Sequence, residues 1–184
     1  MRKRVSVTSR FVLAVICFVF LAASLARAQE QEPLLSPPAR AECAFPDKKT
    51  VRISYSSPRI RGRKIYGGLV PYGEEWRVGA NDATTFVLST NVLVGDTPVP
   101  AGRYTIFALP NAADWKLIVS KKTGEWGIPY PGSQFDLARI PMKLGTLPKQ
   151  LENFTISFDK TGGKCTMQWD WVNTRVYIDI TESK

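Results

Sequence analysis

The sequence predicts an all-β fold, a single antiparallel β-sandwich or jelly-roll-like domain of about eight short strands. Two observations carry that expectation. Apolar and polar residues alternate with a period of two in one short run after another, and clusters of Gly, Pro, Asn and Asp separate the runs. Helical periodicity is nearly absent: Leu144 to Leu151 hints at a helical turn, and Pro148 interrupts it. Short strands joined by turns bury one face each and pack in layers around one core.

The runs follow in order along the chain. Val51, Ile53 and Tyr55 alternate with Arg52 and Ser54, a strand with one apolar face. Thr85 to Val94 is β-branched and apolar, with Asn91 as a bend. Tyr104, Ile106 and Ala108 alternate with Thr105, Phe107 and Leu109, so this strand is apolar on both faces and belongs centrally in a sheet. Trp115, Leu117 and Val119 alternate with Lys116, Ile118 and Ser120, and Leu137 to Met142 is a short candidate. Phe154, Ile156 and Phe158 follow, then Cys165 to Trp171, then Val176, Ile178 and Ile180. Gly95-Asp96, Pro100-Ala101-Gly102, Pro110-Asn111 and Asn173-Thr174 supply turns, and Gly162-Gly163 reads as the tip of a hairpin.

The first stretch stands apart. Arg2, Lys3, Arg4 and Arg10 precede an uncharged apolar run from Phe11 to Leu25, and Ala26-Arg27-Ala28 has the small-x-small pattern of a cleavage site. Residues 1–28 are expected to be a secretory signal peptide, with a retained membrane anchor as the alternative. The expectation is an exported protein, periplasmic or extracellular, with no membrane span after cleavage. Residues 29–49, rich in Pro, Glu and Ala, read as a flexible lead-in, and residues 50–182 as the domain. Five of the 25 Lys and Arg, and none of the 16 acids, fall within residues 1–28. The formal charge of +9 thus drops to +4, 20 basic against 16 acidic residues. That is too modest for a nucleic-acid footprint.

Histidine is absent from all 184 residues. Ser-His-Asp and Cys-His catalysis and His-ligated zinc are thereby excluded. No phosphate-binding P-loop, dinucleotide fingerprint or acidic calcium loop occurs, so neither cofactor nor metal is expected, and no catalytic residue is assigned. Beyond residue 28 two cysteines remain, Cys43 and Cys165. In an oxidising compartment they are a disulfide candidate; alternatively Cys165 is a small buried residue on the same face as Met167, Trp169 and Trp171.

Residues 57–84 are too rich in Gly and Pro for a strand pair and too aromatic for a disordered loop. Arg59, Arg61 and Arg63 recur at period two, and guanidinium forks suit carboxylate, sulfate or phosphate groups. The alternative is a charged strand edge, or ion pairs from Arg63 and Arg77 to Glu74, Glu75 or Asp82. Tyr72, Trp76, Trp126 and Tyr130 also lie in Gly- and Pro-rich segments, where aromatic rings stack on sugars or hold loops against a sheet. Asn81-Asp82 is a turn dipeptide as well as a polar pair. The candidate ligand-binding residues are Arg63, Tyr72, Trp76, Arg77, Asn81 and Asp82.

Here the sequence resembles the bacterial exported proteins grouped as domain of unknown function 2911. The likeness rests on Ser57-Pro58, Gly62-Arg63, Ile65, Gly67, Leu69-Val70-Pro71-Tyr72-Gly73, Trp76-Arg77 and Gly79-Ala80-Asn81-x-Ala83-Thr84. It continues in Pro100-Ala101-Gly102-x-Tyr104-Thr105-Ile106-Phe107, Trp126-Gly127 and a Trp171–Val176 hairpin. Asp82 stands where the resemblance leads one to expect Glu. An exported β-domain is implied, and no activity comes with it. Three readings follow: a non-catalytic binding module for a glycan or anionic ligand; a structural or interaction module of the cell envelope; and a histidine-free hydrolase using Asp82 with Glu74 or Glu75.

Overall fold

Nine strands run antiparallel in the computed structural model, which describes residues 34–183; the expected signal peptide lies outside them. They are β1 (Pro38–Ala44), β2 (Thr50–Ser56), β3 (Thr85–Leu88), β4 (Val92–Val94), β5 (Thr97–Val99), β6 (Gly102–Pro110), β7 (Trp115–Ser120), β8 (Asp136–Thr161) and β9 (Lys164–Glu182). All belong to one sheet in the order β1-β2-β3-β6-β7-β8-β9-β4-β5, which does not close into a barrel. Among the described residues no helix is long and apolar enough to cross a membrane.

The layers expected of a sandwich are two ends of this single sheet, which turns within β8. Asp136–Met142 pair with β7, and the strand from Lys143 onward pairs with β9. The facing halves enclose Ile53, Phe86, Ile106, Leu117, Met167, Trp169 and Trp171, each at most 1 % exposed. Tyr55 of β2 meets Phe154 of β8 edge to face, with ring centroids 5.7 Å apart. Its hydroxyl accepts a hydrogen bond from the Ile156 N–H at 2.9 Å. A disulfide between Cys43 and Cys165 joins β1 to β9.

As its two-sided apolar pattern predicts, β6 lies inside the sheet, between β3 and β7. The outward side chains of Phe107 and Ile118 form a second small core with Ala83, against which Leu109 and Tyr130 pack. At the far edge β5 carries Pro98, which has no backbone N–H to donate.

Several elements differ from the sequence reading. Pro38–Ala44 is not flexible lead-in but strand β1, in register with β2 from Pro38↔Ser56 to Ala44↔Thr50. Its inward residues Ala39, Ala41 and Cys43 are small, so the hydrophobic alternation is faint. Leu144–Leu151 forms no helical turn: it stays extended in β8, and Pro148 sits in the gap in pairing between Thr146 and Leu151, where no ladder N–H is required. Asn173-Thr174 makes no turn and Trp171–Val176 no hairpin. The chain instead passes through β9 with its irregularity at Val172, whose φ is +56°, opposite Leu151. Two pairs of short predicted strands are therefore two long ones.

Candidate functional site

Residues 57–84 connect β2 to β3 and are pinned by isolated bridges of Arg59 to Asn153 and Trp76 to Ala108. The Trp76 N–H donates to the Ala108 carbonyl at 2.8 Å, and the reverse bond measures 2.7 Å. The Trp76 indole stacks on Trp171 with centroids 6.0 Å apart and meets Phe154 at 5.0 Å. Its N–H donates to the Gly79 carbonyl at 3.2 Å. Gly79 lets the loop return against β2, since a Cβ there would lie 2.9 Å from the Ser56 carbonyl oxygen.

Between Trp76 and Gly79 the chain holds two unfavourable groups. Val78 is fully buried with φ at +56°, a left-handed conformation that a β-branched residue adopts at a cost of order 1–3 kcal/mol. Arg77 places Nε and Nη1 out of solvent with no hydrogen-bond partner. Its guanidinium lies 5.4 Å from the centre of the Trp126 ring, a cation–π contact that does not satisfy N–H groups. Burial pulls its pKa down, against an upward pull from the Asp82 charge. Gly127 makes this approach possible: a Cβ there would lie 2.8 Å from Ala83 Cβ and 3.0 Å from Arg77 Cβ.

Two cavities flank Arg77. One, of about 240 Å³, is lined by Arg63, Leu69, Trp76, Arg77, Ile128 and Trp171 among others. The second, of about 350 Å³, has Glu74, Glu75, Pro71, Pro129 and Tyr130 in its walls. Leu69, Trp76, Arg77 and Ile128 border both, so the two read as one groove divided at Arg77. Two apolar residues shared by both parts are well exposed: Leu69 at 49 % and Ile128 at 64 %.

The structure brings Arg63, Trp76 and Arg77 together and leaves the other candidates apart. Tyr72 is exposed and lines a separate cavity of about 250 Å³ with Tyr66, Asn111, Trp115, Thr146 and Thr174, which holds no charged side chain. Asn81, with φ +56°, turns its amide to the Ser36 carbonyl at 3.4 Å. Asp82 is exposed and lines neither part of the groove, so it is not assembled with Glu74 or Glu75 as a hydrolytic pair. The arginine row is no strand edge, because Arg61 has φ +49°. Its guanidiniums donate to main-chain carbonyls: Arg59 to Ser57 at 2.6 Å, Arg61 to Leu35 at 2.9 Å, Arg63 to Arg59 at 2.6 Å. Nor does Arg63 or Arg77 form an ion pair with Glu74, Glu75 or Asp82 among the described residues. Among those residues no group of three potential ligands is placed to hold a metal.

Glu75 is engaged elsewhere. Arg139 donates to Glu75 Oε1 at 3.2 Å, to Asp136 Oδ2 at 2.7 Å and to the Tyr130 hydroxyl at 3.1 Å. The Tyr130 hydroxyl in turn donates to Asp136 Oδ1. Burial, then the bond to Asp136, pushes the Tyr130 phenol up to about 12. Tyrosinate absorbance should accordingly show a component near pH 12 that Tyr130→Phe removes; an unchanged titration curve would mean the network does not form. Sequence reasoning missed Leu69 and Ile128 as groove residues. They carry no chemistry of their own, and Ile128 comes from a loop some fifty residues beyond Arg77.

Fold and groove together define a small all-β domain with an apolar-walled groove that carries both arginine and glutamate side chains beside its sheet. The chain belongs to the family described as "Protein of unknown function (DUF2911)", which matches residues 36–180. No curated protein and no solved structure matches the chain.

Proposed function

We propose that this is an exported, non-catalytic binding domain whose groove takes a small anionic ligand on Arg77. The observation that carries the reading is the guanidinium with Nε and Nη1 buried and unpartnered. Leaving a charged donor unsatisfied works against stability, and it stands next to a strained Val78. Strain and unmet hydrogen bonds concentrate at binding sites, where the ligand satisfies what the fold does not. A carboxylate or phosphate oxygen supplies the missing acceptor. An anion is favoured over a neutral sugar because Trp76 already stacks on Trp171 and Arg77 lies over Trp126. The disulfide suits the oxidising compartment that export implies.

Arg77→Met keeps the length of the side chain and removes its charge. Titration of the purified protein with acetate, phosphate and sulfate, followed by NMR shifts of groove residues, should give Arg77-dependent binding. The variant should weaken it by roughly tenfold or more, as expected for a charge-assisted hydrogen bond, with a melting temperature equal to or above the parent's. Equal anion binding by both proteins would refute the reading, and unfolding of the variant would make Arg77 structural.

A further inference from the structure

Resting on the Arg77 reading, we infer that the natural ligand carries a cation beside its anion: a short apolar peptide with both termini free. Glu74 and Arg77 line the same cavity of about 350 Å³. Among the described residues Glu74 takes part in no hydrogen bond or ion pair, while its neighbour Glu75 is held by Arg139. Arg77 lacks partners for Nε and Nη1. The two opposite charges nevertheless do not pair with each other.

Their shared backbone is anchored by the fold. Trp76, between them in sequence, is fixed by its two main-chain bonds to Ala108 and by its stack on Trp171, which holds the backbone that carries both. The cavity thus presents a carboxylate and a guanidinium that do not pair, with apolar Leu69, Pro71, Ile128 and Pro129 around them. A simple dianion would be drawn to Arg77 but repelled by Glu74 across the same space. A ligand with a carboxylate for Arg77, an ammonium for Glu74 and an apolar side chain for the walls meets both unpaired charges and the apolar lining. The volume falls within the range of small-ligand pockets, on the scale of one or two amino acids.

The experiment compares dileucine, N-acetyl-dileucine and dileucine amide on the purified protein, by NMR titration up to millimolar concentration. Dileucine is expected to bind best. Acetylation should weaken binding about tenfold or more in the parent and make no difference in Glu74→Gln, whose exposed side chain can change without disturbing the fold. Amidation should weaken binding in the parent and not in Arg77→Met. If the acetylated peptide binds as tightly as the free one, the peptide inference falls while the anion reading stands. If acid and amide bind alike, the anion reading falls. Should none of the three bind while phosphate or acetate still depends on Arg77, the ligand is a simple anion and the peptide assignment is overturned.

Discussion

Replacing Cys43 and Cys165 by alanine should lower the stability of the domain by up to about 5 kcal/mol. The disulfide closes a loop with a sequence separation of 122, and constraining a loop of that length in the unfolded chain is worth about 5 kcal/mol in the chain-entropy account. Both cysteines are buried, at 5 % and 0 % exposure. A domain of this size has about 5–15 kcal/mol in total, so the loss is a large share of its stability. Urea unfolding of the parent with and without reductant, beside the double variant, measures it. A difference below about 1 kcal/mol would show that β1 is held by its ladder to β2 alone.

Trp171→Ala is the second large effect. The indole is fully buried, stacked on Trp76 and in edge contact with Phe154 at 5.7 Å and Tyr66 at 6.2 Å. Its N–H donates to the Glu152 carbonyl at 3.1 Å. Truncating a buried aromatic costs about 3–5 kcal/mol, which lowers the melting temperature by roughly 10 °C or more in a domain of this length. The indole also forms part of the groove wall beneath Arg77, so anion binding should weaken in the same variant. Trp126→Ala is the contrast: that ring is mostly exposed, and its loss should spare the fold. Equal melting temperatures for the two variants would refute the distinction between a buried and an exposed tryptophan.

Much of the fold was legible because alternation reports burial directly. Val51, Ile53 and Tyr55 point inward as read, and the two-sided run around Ile106 and Phe107 did locate a strand covered on both faces. What stayed hidden has physical reasons. Small residues in β1 write a weak pattern. Pro148 and Asn173 look like breaks, but an irregular ladder tolerates both inside long strands. In the groove, Arg77 stood out as a charge within a dense motif, whereas its lack of partners is a property of packing. Only the folded chain shows that Glu75 is occupied, that Glu74 is not, and that Asp82 lines neither part of the groove.

The strand order also governs how the domain can be made. β3 ends at Leu88 and β4 begins at Val92, yet β6, β7, β8 and β9 lie between them in the sheet. Val92–Val94 pair with Thr97–Val99 close by in sequence and with Ile180–Glu182 far along it, so the β4–β5 hairpin can form locally but joins the sheet only once the distant end of β9 is in place. Contacts this distant in sequence slow folding into the millisecond-to-second range. Deleting Ile180–Glu182 would therefore leave the hairpin of residues 92–99 without its only link to the rest of the sheet among the described residues.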